Sequence, residues 1–162
     1  MSGYAVYEGL LSERLKSDAY DVSDLPLLSD LNSSAGLRRP VVYVVYVGSE
    51  YSDTGRLGDF SQYDTMTFEV IIRARSRSLI FSTVEFVLSR LLKWRVPGAL
   101  DNITLSAFGY TSGGQNGWQY NLKFSFQGVL IISDAEGDIS NVNGNGNDAV
   151  ITKIDFKVYE KV

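Results

Sequence analysis

The chain contains no cysteine and no histidine. Without cysteine there is no disulfide, no thiolate nucleophile and no sulfur ligand for a metal. Without histidine the commonest general base and the commonest metal ligand are missing as well. Any catalysis would fall to carboxylates, lysine, tyrosine or serine, so an enzyme is not the expected reading and no cofactor is expected. Positive charge is not in excess either. The formal net charge is -4, which argues against a general nucleic-acid binder. No apolar run approaches the roughly 18 residues needed to cross a bilayer, so no membrane partner is expected. The opening MSGYAVYEGLLSERLKSD lacks the basic start and long apolar segment of a signal peptide.

The remaining composition suits one globular domain. With 162 residues, 44% of them hydrophobic, the chain is long enough to bury a sizeable core. Ten tyrosines raise the aromatic share to 12%, a bias that fits strands and contact surfaces.

Residues 4–16, YAVYEGLLSERLK, read as a helix because Tyr7, Leu11 and Leu15 recur every four residues. Gly9 inside it costs about 1 kcal/mol against alanine. Residues 17–39 read as a mixed connection. RPVVYVVYVG, 39–48, is apolar on both faces, as a central strand covered on both sides would be. SEYSDTGRLGDFSQYD, 49–64, reads as a long exposed loop. TMTFEVIIRARS, 65–76, alternates: Met66, Phe68, Val70, Ile72 and Ala74 on one side, Thr65, Thr67, Glu69, Arg73 and Arg75 on the other. SLIFSTVEFVLSRLLKWRVPG, 78–98, is the clearest helix, with Ser78 as its cap, an Ile80, Val84, Val87, Leu88 and Leu91 stripe, and Pro97-Gly98 as its stop. Phe81, Phe86, Leu92 and Trp94 broaden the stripe until little of the helix is expected to face water. NITLSAFGY, 102–110, and WQYNLKFSFQGVLII, 118–132, flank TSGGQNG as a hairpin, with Gly128 expected to form a bulge or bend. DAEGDISNVNGNGNDAV, 134–150, reads as a solvated flexible arm. After it ITKIDFKVYEKV resumes strand alternation, with Val150, Ile154, Phe156 and Val158 on one side. The expected fold is α+β, an antiparallel-rich sheet of about four to five strands with helices packed on one face. Residues 1–133 form the core and 134–162 an arm with a C-terminal strand.

Few patterns carry chemistry. Asp134, Glu136 and Asp138 alternate as calcium ligands can, but an EF-hand needs glycine and glutamate where Ile139 and Asn145 stand. TSGGQNG lies between strands and lacks the lysine of a phosphate loop, so it reads as a turn. Arg73, Arg75 and Arg77 follow at strand spacing; on an acidic chain they mark an interface candidate, able to grip phosphates or a partner's carboxylates. Glu69 shares that polar face. Trp118, beside the glycine-rich tip, is a possible contact anchor, and Trp94 a packing residue. Ile154, Phe156 and Val158 would let the last strand add to a sheet edge, its own or a neighbouring subunit's, with its own slightly favoured. No catalytic constellation and no metal set is evident.

The order of elements, with the polar-faced strand TMTFEVIIRARS running into the apolar helix SLIFSTVEFVLSRLLKWRVPG and then a long hairpin, resembles the phage tail terminator proteins, in particular the Mu-type minor tail protein group of contractile-tailed phages. The resemblance covers about residues 4–132 and rests on element order and residue character, with no invariant motif. It implies a small α+β domain that assembles as a hexameric ring, caps the tail tube at its correct length, and meets the tail sheath and the neck or connector protein. The protein would be made in the host cytoplasm and reside at the head-proximal end of the virion tail. The arm and last strand extend past the core expected for that family. On this reading helix 78–95 backs the sheet, loops 49–64 and 111–117 project, and the arginine-rich strand lies near a subunit boundary or the lumen. Two other readings are another head–tail joining or tail-completion protein, and a small binding module or enzyme using 49–64 as a lid. A deep carboxylate-lined pocket would favour the last.

Overall fold

A computed structural model describes residues 3–18, 21–23, 38–53, 61–114 and 117–131. Helix α1 (Gly3–Leu15) is followed by strands β1 (Asp21–Ser23), β2 (Val41–Asp53) and β3 (Ser61–Ala74), helix α2 (Arg77–Leu91), and strands β4 (Thr104–Ser112) and β5 (Trp118–Ile131). The five strands form one sheet in the order β1-β2-β3-β5-β4. β1 runs parallel to β2, and every other neighbouring pair is antiparallel. The class is α+β, as expected, but the sheet is mixed. The parallel member is a three-residue strand inside a segment whose sequence reads only as a connection.

Alternation places the core. Met66, Phe68, Val70, Ile72 and Ala74 of β3 are all buried, and so are Tyr120, Leu122, Phe124 and Phe126 of β5. Paired residues of adjacent strands share a face. The register Phe68↔Phe124, Val70↔Leu122 and Ile72↔Tyr120 therefore makes one continuous apolar surface. Tyr7, Leu11 and Leu15 of α1 and Ile80, Val84, Val87 and Leu91 of α2 join these residues in a single buried cluster, so both helices pack on this face. Phe68 and Phe126 stack at its centre with rings 5.4 Å apart. The helices also meet each other: the Arg14 guanidinium lies 5.2 Å from the Trp94 ring centre and donates to the Arg90 carbonyl at 3.2 Å. Trp94 packs against the core, as its sequence position suggests.

Several boundaries differ from the sequence reading, each for a local reason. β2 continues to Asp53 and β3 begins at Ser61, pairing Glu50↔Thr65, Tyr51↔Asp64, Ser52↔Tyr63 and Asp53↔Gln62. Most of the expected loop is thus strand: its side chains are polar, but the ladder to β3 satisfies its backbone. Only 54–60 lie between the two strands, and they fall outside the described residues. β3 is the middle strand of the five, and β2, second in the order, is buried on both faces over Val42, Tyr43 and Val44, as its apolar sequence predicts. The N-cap of α2 is Ser76, whose hydroxyl accepts from the Leu79 N–H at 3.3 Å, with Ser78 hydrogen-bonded to it. The helix ends before Pro97-Gly98. Leu92 turns extended and Lys93 takes a left-handed φ of 64°. Gly128 forms no bulge and pairs in register with Asp64. Bulges occur instead at Tyr46/Gly48, Leu105/Ala107 and Tyr110/Ser112. The proposed last strand, with Ile154, Phe156 and Val158, and the arm before it lie outside the described residues.

Candidate interface surfaces

Among the described residues no element covers the sheet face opposite the helices. Down its middle run Thr65, Thr67 and Glu69 of β3 beside Gln119, Asn121, Ser125 and Gln127 of β5, all half-buried. They are tied laterally. Asn121 Nδ2 donates to Glu69 Oε1 at 2.5 Å, Gln119 Nε2 donates to Asn121 Oδ1 at 3.3 Å, and the Thr67 and Ser125 hydroxyls lie 3.3 Å apart. Glu69 is cross-strand partner to Lys123. Short, mutually bonded polar side chains make this a broad face whose groups are held in place before any partner arrives.

The three arginines do not form one basic strip. Arg73, on the side of β3 away from the helices and opposite Gln119, is only 6% exposed, and Tyr43 on the same side of β2 is equally buried, so this end of the face is not open to solvent. Arg75 is exposed in the turn after β3, and Arg77 opens α2. The chain leaves strand geometry after Ala74, so spacing by two stops placing side chains on a common face. Arg77 turns to the helix side, its guanidinium 5.5 Å from the Phe81 ring centre and 5.4 Å from that of Trp118.

That contact opens onto a surface the sequence reading missed. β4 lies at the sheet edge, and all nine of its residues are exposed. Its register with β5 puts Leu105, Phe108 and Tyr110 beside Phe124, Leu122 and Tyr120, on the helix side. α2 does not reach far enough to cover them. Phe108 is 45% and Tyr110 57% exposed. Phe108, Tyr110 and Phe81 all pack their rings about the Tyr120 ring, at 5.5, 5.6 and 5.6 Å, and Tyr110 reaches Trp118 at 6.2 Å. The result is an aromatic shelf of Phe81, Phe108, Tyr110 and Trp118 around Tyr120, with Arg77 at its margin. Trp118 is half-buried and belongs to this shelf, beneath Gly113. The exposure of Phe81 and of Leu92 also corrects the expectation that little of the second helix faces water. The signal that could have found the shelf was Phe108 and Tyr110 at a two-residue interval; what concealed it was the strand order, which sequence did not give.

At the other end of the sheet a tyrosine cluster clamps α1. The Tyr4 hydroxyl donates to Asp64 Oδ2 at 3.0 Å and lies 2.8 Å from the Tyr51 hydroxyl. The Tyr4 and Tyr46 rings stack at 4.3 Å. Burial, the Tyr51 hydrogen bond and the Asp64 carboxylate hold the Tyr4 hydroxyl well above its ordinary pKa, and burial then Asp64 raise that of Tyr7. Both therefore stay protonated at neutral pH, as donors and not bases. Asp64 is 1% exposed, and its Oδ1 has no hydrogen-bond partner among the described residues. Glu8 of α1 accepts from the Tyr46 backbone N–H at 2.6 Å, stopping the β2 edge at that point.

A depression of about 610 Å³ opens between the end of α1, β1 and α2, lined by Lys16, Ser17, Asp18, Asp21, Val22, Phe86 and Arg90. Its two carboxylates are matched by two cations, so it is not the deep carboxylate pocket that a catalytic reading calls for. Among the described residues no group of three or more acidic side chains is placed to hold a metal, and no helix is long and apolar enough to cross a membrane. No protein-family model matches this chain, and no curated protein matches it in sequence.

Proposed function

We propose that this protein is a structural component of a phage virion, a tail terminator that forms a hexameric ring, caps the tail tube and sheath, and joins them to the neck. The resemblance of residues 4–132 to that family motivates the reading. The observation that carries it is the division of the fold into two unlike faces. Both helices occupy one side of the sheet, and along the middle of the other side the described residues of β3 and β5 carry laterally bonded polar side chains. Flat subunits that pack side by side in a ring need extended surfaces of this kind, whereas a small-molecule site needs concavity. Arg75, exposed in the turn at one end of that face, supplies charge for a neighbour's carboxylates. The role involves no catalytic step and no cofactor.

The test is negative-stain microscopy of the purified protein mixed with its tail tube protein. Rings, or tubes capped at limited length, are the expected result. Unaltered tubes beside a monodisperse monomer would overturn the terminator reading. They would leave the other head–tail joining role, which is tested in the same way against the connector protein.

A further inference from the structure

We propose that the aromatic shelf beside β4 is the docking site for the chain's own C-terminal segment, residues 150–158, added as a sixth strand to the outer edge of β4. The proposal is independent of the tail reading and would hold for any function.

The receptor side is an edge strand whose outer backbone groups pair with nothing among the described residues. The helix-side residues of β4 form an apolar ledge, Leu105, Phe108 and Tyr110, that α2 leaves exposed. Its other side is small or polar: Ala107, Gly109 and Ser112, in register with Lys123, Asn121 and Gln119. A strand added there needs one apolar and one polar face. The sequence VITKIDFKV supplies that pattern. Val150, Ile154, Phe156 and Val158 fall on one side, and Lys153, Asp155 and Lys157 on the other. Laid on β4, the first set would cover the ledge and pack against Phe81, while the charged set would continue the polar face.

The tether makes the chain's own segment the favoured occupant. β5 ends at Ile131, about 20 Å beyond the β5 residue paired with Thr104, at 3.4 Å per residue. The 18 residues from 132 to 149 span up to about 60 Å when extended, enough to reach either end of β4. A short linker holds its segment at an effective concentration of about millimolar, far above that of a second copy in dilute solution. The β2 edge is a poorer acceptor. β1 occupies Val41 to Tyr43 and Glu8 takes the Tyr46 N–H. The two bulges in β4 shorten the regular ladder available. Side-chain burial on the shelf therefore supplies most of the attraction, and this gives the alternation its importance.

The natural chain has no cysteine, so an introduced pair is unambiguous. Phe108→Cys is combined in turn with single cysteines at Val150, Thr152, Ile154, Phe156 and Val158, and, as the opposite-face set, at Ile151, Lys153, Asp155 and Lys157. Each full-length protein is oxidised at low concentration. Expected is an intrachain disulfide at one or two adjacent even-numbered positions and none at the odd-numbered ones, since bridged Cβ atoms must lie about 4 Å apart on one face. No intrachain bridge anywhere, or equal bridging from both sets, overturns the proposal. So does bridging only between chains, which would show an exchanged strand. Hydrogen exchange on the unaltered protein gives a reading free of any folding defect. The alternate amides of 150–158 that point toward β4 should exchange at least about tenfold more slowly than coil, as paired strand amides do; exchange of every amide in the segment at the coil rate overturns the inference.

Discussion

Gly113→Ala should loosen the corner that carries Trp118. A Cβ at position 113 would stand 2.4 Å from Trp118 Cε3 and 2.6 Å from Cζ3. Ordinary contact begins near 3.4 Å, so the indole would have to withdraw by about 1 Å or the turn would have to open. The ring has little freedom. It packs against the core, with Tyr110 at 6.2 Å and the Arg77 guanidinium 5.4 Å from its centre. Overpacking of this kind costs about 1–3 kcal/mol. For a domain of this size each kcal/mol lowers Tm by about 2–4 °C, so a fall of about 2–12 °C is expected. Gly109→Ala is the control: it lies in the same strand pair, and a Cβ there meets nothing within 4 Å. Its Tm should be unchanged or slightly raised, because alanine loses less backbone entropy in a strand. Thermal unfolding by circular dichroism gives the stabilities, and tryptophan fluorescence reports whether the indole has moved. Equal Tm values for the two variants, with an unshifted emission spectrum in Gly113→Ala, would refute the packing argument.

Gly9→Ala, on the exposed side of α1 with open space around it, should stabilise by about 0.5–1 kcal/mol in urea titration. Phe68→Ala removes a fully buried ring stacked on Phe126 and should cost about 3–5 kcal/mol by the same measurement. Tyr4→Phe removes the one side-chain donor that Asp64 has among the described residues, and a buried acceptor so orphaned costs about 1–3 kcal/mol. The raised pKa values of Tyr4 and Tyr7 also predict a pH dependence. The unfolded chain releases those protons near pH 10.0 while the folded chain keeps them, so their contribution is complete below pH 10 and declines above it. Urea midpoints from pH 8 to 11 should show that decline, and it should be shallower in Tyr4→Phe. Arg75→Glu should leave Tm within about 1 °C, as exposed substitutions usually do. Arg73→Glu, at a site 6% exposed, should cost at least about 2 kcal/mol by burying a carboxylate.

The parts of the fold that sequence reveals are those with a strong period. Tyr7, Leu11 and Leu15 are buried as their four-residue spacing requires, and the alternating sides of β3 and β5 separate into core and polar face as assigned, except that Arg73 is buried and Arg75 lies past the end of β3. Strands with polar side chains were harder to see. Glu50 to Asp53 and Gln62 to Asp64 look like loop because nothing in their composition signals the backbone ladder that holds them. β1 is too short to show any period. The candidate surfaces were least legible, since they depend on neighbours. Arg73, Arg75 and Arg77 share a sequence interval, but a strand end and a helix start intervene. Phe108 and Tyr110 become a surface only because β4 is outermost and α2 stops short of it.

The position of β5 has a consequence for how the chain is made. β5 is the last described strand in sequence, yet it inserts between β3 and β4. Until its residues emerge from the ribosome, β3 has a bare flank, β4 has no partner, and the apolar side of α2 has only half its floor. The β2–β3 hairpin and both helices can form early, but the sheet closes only with the arrival of Trp118 to Ile131. Nascent chains stalled before that point would expose an unpaired central strand to one another. Vectorial synthesis therefore makes β5 the committing step of folding, and chains truncated within it should be insoluble.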